Sequence, residues 1–148
     1  MRKLRFTLSL IAFLSIFITQ SINLFAVGGG SSSESSIDIP LPAQNYFATI
    51  TDVLKIVVDG NRISWNGKIY LEGMLGHAKV SVPFEKINRI TIEGPASAVD
   101  NGHMLAKVKL IDDQQVEILL LMNSKFYGQT SFGEFEVFIK DLKIIDFK

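Results

Sequence analysis

His77 and His103 are the chain's two histidines. A histidine that holds zinc or works as a catalytic base usually has partners at a defined spacing, such as H-x-x-x-H or H-E-x-x-H. Neither histidine has one. Each lies near a glycine in a stretch that reads as loop, so exposed loop histidines are expected rather than a shared metal site. The acids Asp112 and Asp113 sit side by side in IDDQQV. Two carboxyls can divide acid and base roles in glycoside hydrolysis, but they must face each other across a cleft. A hairpin turn explains the pair better, because Asp tolerates turn conformations. Asp100-Asn101-Gly102 offers oxygen atoms to a calcium ion but lacks the D-x-D-x-D-G spacing, so it too reads as a turn. Serines are plentiful, yet there is no G-x-S-x-G. The chain has no Cys. That excludes disulfides, thiolate nucleophiles and cysteine-based metal sites. No catalytic residue, metal ligand or cofactor is expected.

Aromatic side chains are the remaining candidates. Trp65 precedes Asn66-Gly67, and Tyr70 and Tyr127 flank two glycines, Gly73 and Gly128. Exposed rings on a sheet could stack on a sugar or anchor a partner protein. Tyr127, Trp65 and Tyr70 are therefore the candidate ligand-binding residues. A sugar platform would require the three to be coplanar and exposed. An internal alignment, given below, sets Trp65 against Leu120, which favours the core, and Tyr127 against Glu72, which favours the surface.

The first part of the chain reads as an export signal. Met1 to Arg5, MRKLR, is basic; Phe6 to Ile18 is uncharged and mostly apolar; a small-residue exit follows. Residues 1–26 are expected to be a signal peptide, cut after Ala26 or after Gly28, where Ala26-Val27-Gly28 is the better small-residue match. The alternative is an uncleaved inner-membrane anchor. Phe6 to Val27 is 22 residues, enough to cross a bilayer of about 30 Å, although Thr19, Gln20, Ser21 and Asn23 interrupt it. Residues 27–36, rich in Gly and Ser, read as a flexible linker. Loss of Arg2, Lys3 and Arg5 leaves 12 basic against 15 acidic residues, a net charge of −3. That balance argues against nucleic acid and against a polybasic membrane patch.

Residues 37–148 read as all-β. Short apolar runs with period two alternate with turn residues: LKIVV before Asp59-Gly60-Asn61, RISW before Asn66-Gly67, then KIYL, KVSVPF and RITI. Asn-Gly between two alternating runs predicts a hairpin with a type I′ turn. The run within VEILLLM, Val116 to Met122, predicts a central strand covered on both faces. Pro83 predicts an edge or bulged strand, because proline cannot donate to a ladder. Gly73 and Gly128 predict bends or bulges.

One line of sequence occurs twice. VPFEKINRITI, from Val82, aligns without a gap on VFIKDLKIIDF, from Val137, at an offset of 55. Apolar positions stay apolar and Gly73 meets Gly128, while polar positions drift. Within each line the apolar spacing shifts from two to three, which predicts one tight helical turn before the last strand. These features predict two tandem β repeats of about 50 residues, at 46–93 and 103–148, packed into a single pseudo-symmetric β-sandwich or barrel. The alternative is two small barrels in tandem. Five short strands with a helical turn before the last resemble the SH3-like class in length and order, a likeness that implies a fold and no function.

The function expected from these features is an exported, non-enzymatic β module. It would be a structural or protein-binding component of the periplasm or cell envelope. A sheet edge would recruit a partner strand, with the strand lacking proline the better candidate. The alternative is a small-ligand or carbohydrate-binding module. The partner would then be a protein or a glycan at the envelope, and the membrane only if the N-terminal segment stays uncleaved.

Overall fold

The computed structural model describes residues 40–97 and 102–148. The expected signal peptide and linker and the Asp100-Asn101 pair lie outside the described residues. The described chain is all-β: β1 (Ala48–Asp52), β2 (Val57–Trp65), β3 (Tyr70–Leu75), β4 (Ala78–Pro83), β5 (Ile87–Pro95), β6 (His103–Leu110), β7 (Gln115–Leu121), β8 (Lys125–Gln129), β9 (Glu134–Phe138) and β10 (Leu142–Phe147). One-turn 3-10 helices, Phe84–Lys86 and Ile139–Asp141, precede β5 and β10, where the shift in apolar spacing predicts them.

All ten strands join one antiparallel sheet in the order β4-β3-β7-β6-β5-β10-β1-β2-β8-β9, curled as a half-barrel. It is one continuous sheet, not two five-strand barrels. The hairpin β3–β4 pairs with β7, and β8–β9 pairs with β2. The strands that follow each tight turn therefore leave their own half of the chain. Exchanging β1–β5 for β6–β10 converts the strand order into its own reverse.

The Asn66-Gly67 turn is the expected one. Both residues have positive φ, and Trp65 and Lys68 exchange backbone hydrogen bonds of 2.8 Å. The hairpin ends at that one bridge, however, because Asn66 turns to β8. Its N–H donates to the Lys125 carbonyl (2.9 Å), and its Oδ1 accepts from the Lys125 N–H (3.0 Å). The expected turn at Asp59-Gly60-Asn61 is instead part of β2. The chain reverses earlier, where the Asp52 N–H donates to the Ile56 carbonyl (3.1 Å) and the Asp52 carboxylate accepts from the Ile56 N–H (2.8 Å). Arg62, at φ 52°, forms a bulge that shifts the register between Asn61 and Ser64. The bulge changes which residues face inward, so that Gly60, Ile63 and Trp65 are all buried.

The core lies on the concave side. Met104, Ala106 and Val108 of β6 point inward in strict alternation, with Ile87, Ile90 and Ile92 of β5 and Leu142 and Ile145 of β10 beside them. Phe84 stacks on Phe126 (centroids 6.0 Å, planes at 16°), with Tyr46 edge-on to Phe84 and Trp65 edge-on to Phe126. β7 corrects one expectation. It is central in the sheet but covered on one face only: Ile118 and Leu120 are buried, while Leu121 is 57% exposed. An unbroken apolar run does not distinguish these cases, since the outer face of a curled sheet also tolerates leucine.

Candidate functional site

The two ends of the sheet are open: among the described residues, no strand pairs with the outer side of β4 or of β9. Antiparallel pairing leaves every second residue of an edge strand with its N–H and C=O turned outward. In β9 the residues turned toward β8 follow from the flanking bonds. Ile139 donates to the Ser124 carbonyl (2.9 Å), and the Gly133 carbonyl accepts from Thr130 (2.7 Å). Phe135 and Val137 fall in the same phase, so Glu134, Glu136 and Phe138 point their backbone groups outward. In β4 the bond from the Phe84 N–H to the Ile69 carbonyl (3.0 Å) fixes the outward set as Lys79, Ser81 and Pro83. Pro83 has no N–H, so β4 lacks a donor where β9 has that of Phe138. The expectation that the proline strand is an edge is met. The prolyl φ of −60° is close to the −75° of Phe138.

Side chains on the inner face of β9 continue the core to its rim. The Phe135 ring crosses β8 and reaches β2 beyond it, in each case at a glycine. A Cβ built on Gly128 would lie 2.5 Å from its Cζ, and one on Gly60 2.8 Å from its Cε1. Gly128 is therefore neither bend nor bulge but a site of close approach in a regular ladder. Gly73 is the same, its virtual Cβ standing 2.3 Å from Ile118 Cγ2. Beside Phe135 and Val137 opens a groove of about 220 Å³, whose other wall is Ile50, Ile56 and Val58, with Asp52 and Glu136 at its margin. Ile56 is 57% exposed.

The outer face of β9 is charged. The Lys125 ammonium contacts both oxygens of Glu136 (3.1 and 3.0 Å), and that pairing raises the Lys125 pKa. The same ammonium lies 4.8 Å from the centre of the Phe138 ring, which Lys140 also approaches (5.2 Å). Glu134 is exposed, so two carboxylates and two ammonium groups share this face.

Tyr127 lies on β8 directly opposite Glu136, partly buried on the outer face, next to this edge. Tyr70 is at the far end of the sheet, opposite Pro83, with the Lys68 ammonium 5.3 Å from its ring centre. Trp65 is 1% exposed and belongs to the core. The three aromatics therefore form no common exposed platform. Their spacing in sequence did not reveal that β3 and β8 lie in opposite wings of the sheet.

His77 is exposed in the β3–β4 turn. His103 is not in a loop but opens β6, paired with Leu121. Met74 pairs with Leu119, so the run toward His77 points to the other end of β7 and separates the histidines. Among the described residues, no three His, Cys, Asp or Glu side chains stand close enough to share a metal. Asp112 and Asp113 form the expected turn: Asp112 accepts from the Gln114 N–H (3.1 Å), and Asp113, at φ 65°, pairs with Lys109 (2.9 Å). A second depression, about 190 Å³, lies between β3 and β7 over Met74, Leu119 and Leu121, with Glu72, Lys79 and His103 at its rim. It is smaller than the several hundred Å³ usual for a small-molecule site.

The edge groove was legible only in part. Pro83 and its missing counterpart marked which strand was free, but the wall from β1 and β2 came from folding alone. No curated protein matches the chain. Residues 42–148 match a family model whose description is "Uncharacterised protein", and the chain belongs to that family.

Proposed function

We propose that this chain is an exported protein-binding module, a component of the periplasm or cell envelope, that takes an extended segment of a partner along β9. The observation that carries the reading is the open β9 edge, with three outward backbone donors, beside an apolar groove. Strand addition draws its affinity from main-chain hydrogen bonds and its specificity from pockets that receive alternate side chains. β9 offers both; β4 lacks one donor at Pro83. Export rests on the basic start, the apolar run and the small-residue exit of residues 1–28. If that segment is retained, the module is tethered to the inner membrane instead. The doubled sequence line and the self-reversing strand order support descent of the fold from two copies of one β unit.

The test is photo-crosslinking in the expressing cell, with the photoreactive residue at position 134 in one full-length variant and at 79, on the other edge, in a second. Crosslinks to another polypeptide from 134 but not from 79 are expected. Equal or absent crosslinking at both positions would overturn the reading.

A further inference from the structure

We infer that the segment taken up by β9 is a basic one, alternating apolar residues with Lys or Arg. The inference rests on the reading of β9 as a docking edge and adds the chemistry of its partner. A strand laid along β9 alternates its side chains between the two faces of the sheet. On the concave face they meet Phe135, Val137 and the apolar groove wall of Ile50, Ile56 and Val58, with the acids Asp52 and Glu136 at its margin. On the convex face they meet Glu134 and Glu136 and, at the far end, the Phe138 ring that Lys125 and Lys140 already approach. Directly opposed unlike charges stabilise a strand pair, and like charges oppose it. Lys125 already contacts Glu136 from β8, so the carboxylate of Glu134 is the freer of the two to face an incoming cation. Tyr127 stands one strand further in, opposite Glu136, where a long Arg could lie against its ring.

The same acids weigh against a second copy as the occupant. An antiparallel β9–β9 pair that uses the outward donors brings Glu136 opposite Glu136 or opposite Glu134, or sets Glu136 against Phe138. The first two juxtapose like charges. The β4 edge of another copy offers Lys79 but lacks the donor at Pro83.

The test uses the purified chain and two synthetic peptides of about eight residues, an ordinary strand length, one alternating Val with Lys and the other Val with Glu. Amide exchange and titration are followed by NMR at low salt. The Val/Lys peptide is expected to slow exchange at Glu134, Glu136 and Phe138 at least tenfold and to bind at least tenfold more tightly than the Val/Glu peptide. The difference should shrink as salt rises. Phe138→Pro, which copies the residue of β4 at a compatible φ, should weaken both peptides. The double variant Glu134→Gln, Glu136→Gln should remove the preference and keep the edge. Equal binding of the two peptides would overturn the basic partner while leaving the docking edge intact. No protection of the three amides by either peptide at millimolar concentration would overturn both. Self-association of the free chain that Phe138→Pro abolishes would make a second copy the occupant and overturn the basic segment.

Discussion

The ring of Phe135 lies across the backbone of Gly128, so close that a Cβ there would stand 2.5 Å from its Cζ. One contact thus joins the edge strand to the core. Gly128→Ala must push the ring away or tilt β9. Overpacking of this kind costs about 1–3 kcal/mol, read as a lowered urea midpoint with unchanged slope. The displaced ring should also weaken binding of the Val/Lys peptide. A Gly128→Ala protein with wild-type stability would show that the ring moves freely.

Phe84 connects the two halves of the chain, since it sits before β5 and packs against Phe126 of β8 and Phe147 of β10. Phe84→Ala is expected to cost about 3–5 kcal/mol, the range for a buried phenylalanine. Leu121→Ser, on the outer face of β7, should change stability by no more than about 0.5 kcal/mol. Thermal unfolding of the two variants tests the assignment of inner and outer faces. A large loss for Leu121→Ser would place β7 between two covered faces after all.

Acid should weaken the fold below the ordinary carboxylate range. Glu72 is held below its usual pKa by the hydrogen bond from Lys68 (2.6 Å), Asp59 by Lys148 (2.7 Å) and then Thr49, and Asp113 by Lys109. A carboxylate with a lowered folded pKa contributes stability that is complete above its unfolded value, about pH 4, and is lost as pH falls through the folded one. These groups therefore contribute no slope between about pH 5 and 7 and a falling urea midpoint below about pH 4. The Asp59–Lys148 and Asp113–Lys109 pairs are exposed and Glu72–Lys68 is only partly buried, so the effect is small and salt-sensitive. Lys68→Met and Lys148→Met should flatten the acid limb; an unchanged limb would assign it to other groups.

Export predicts a new N-terminus. Intact mass and N-terminal sequencing of the protein from the expressing cell should give a start between Val27 and Ser31, in the soluble exported fraction. A Met1 start in the membrane fraction would instead make residues 6–27 an anchor and the β domain a tethered part of the envelope.

Much of the fold was legible because its signals are local. Alternation marked the strands, Asn66-Gly67 the two-residue turn, the spacing shift the 3-10 turns and Pro83 the edge. What escaped was pairing at a distance. Nothing in KIYL or EILLL says that β3, after the Asn66-Gly67 turn, pairs with β7 rather than extending a hairpin with β2; Gly73 leaves the room that Ile118 and Leu120 of β7 occupy, a contact visible only in the folded sheet. Asp59-Gly60-Asn61 misled because turn residues also suit a bulge. Of the candidate aromatics, Trp65 was set inside by its match to Leu120, and Tyr127 outside by its match to Glu72. Only the folded sheet showed that Tyr127 borders the open edge.

The strand order also governs when the chain can fold. β10 lies in the middle of the sheet, between β5 and β1. Until residues 142–147 are present, the two wings have no seam, and β3–β4 and β8–β9 each wait on a strand from the other half. Such non-local pairing is slow to form. The wing β4-β3-β7-β6-β5 is complete in sequence at Leu121, but it joins the wing of β1, β2, β8 and β9 only through β10. If the chain is exported as proposed, the late join keeps the two wings apart while it threads a translocation channel, and a product that stops before residue 142 leaves the facing edges of β5 and β1 open to other strands.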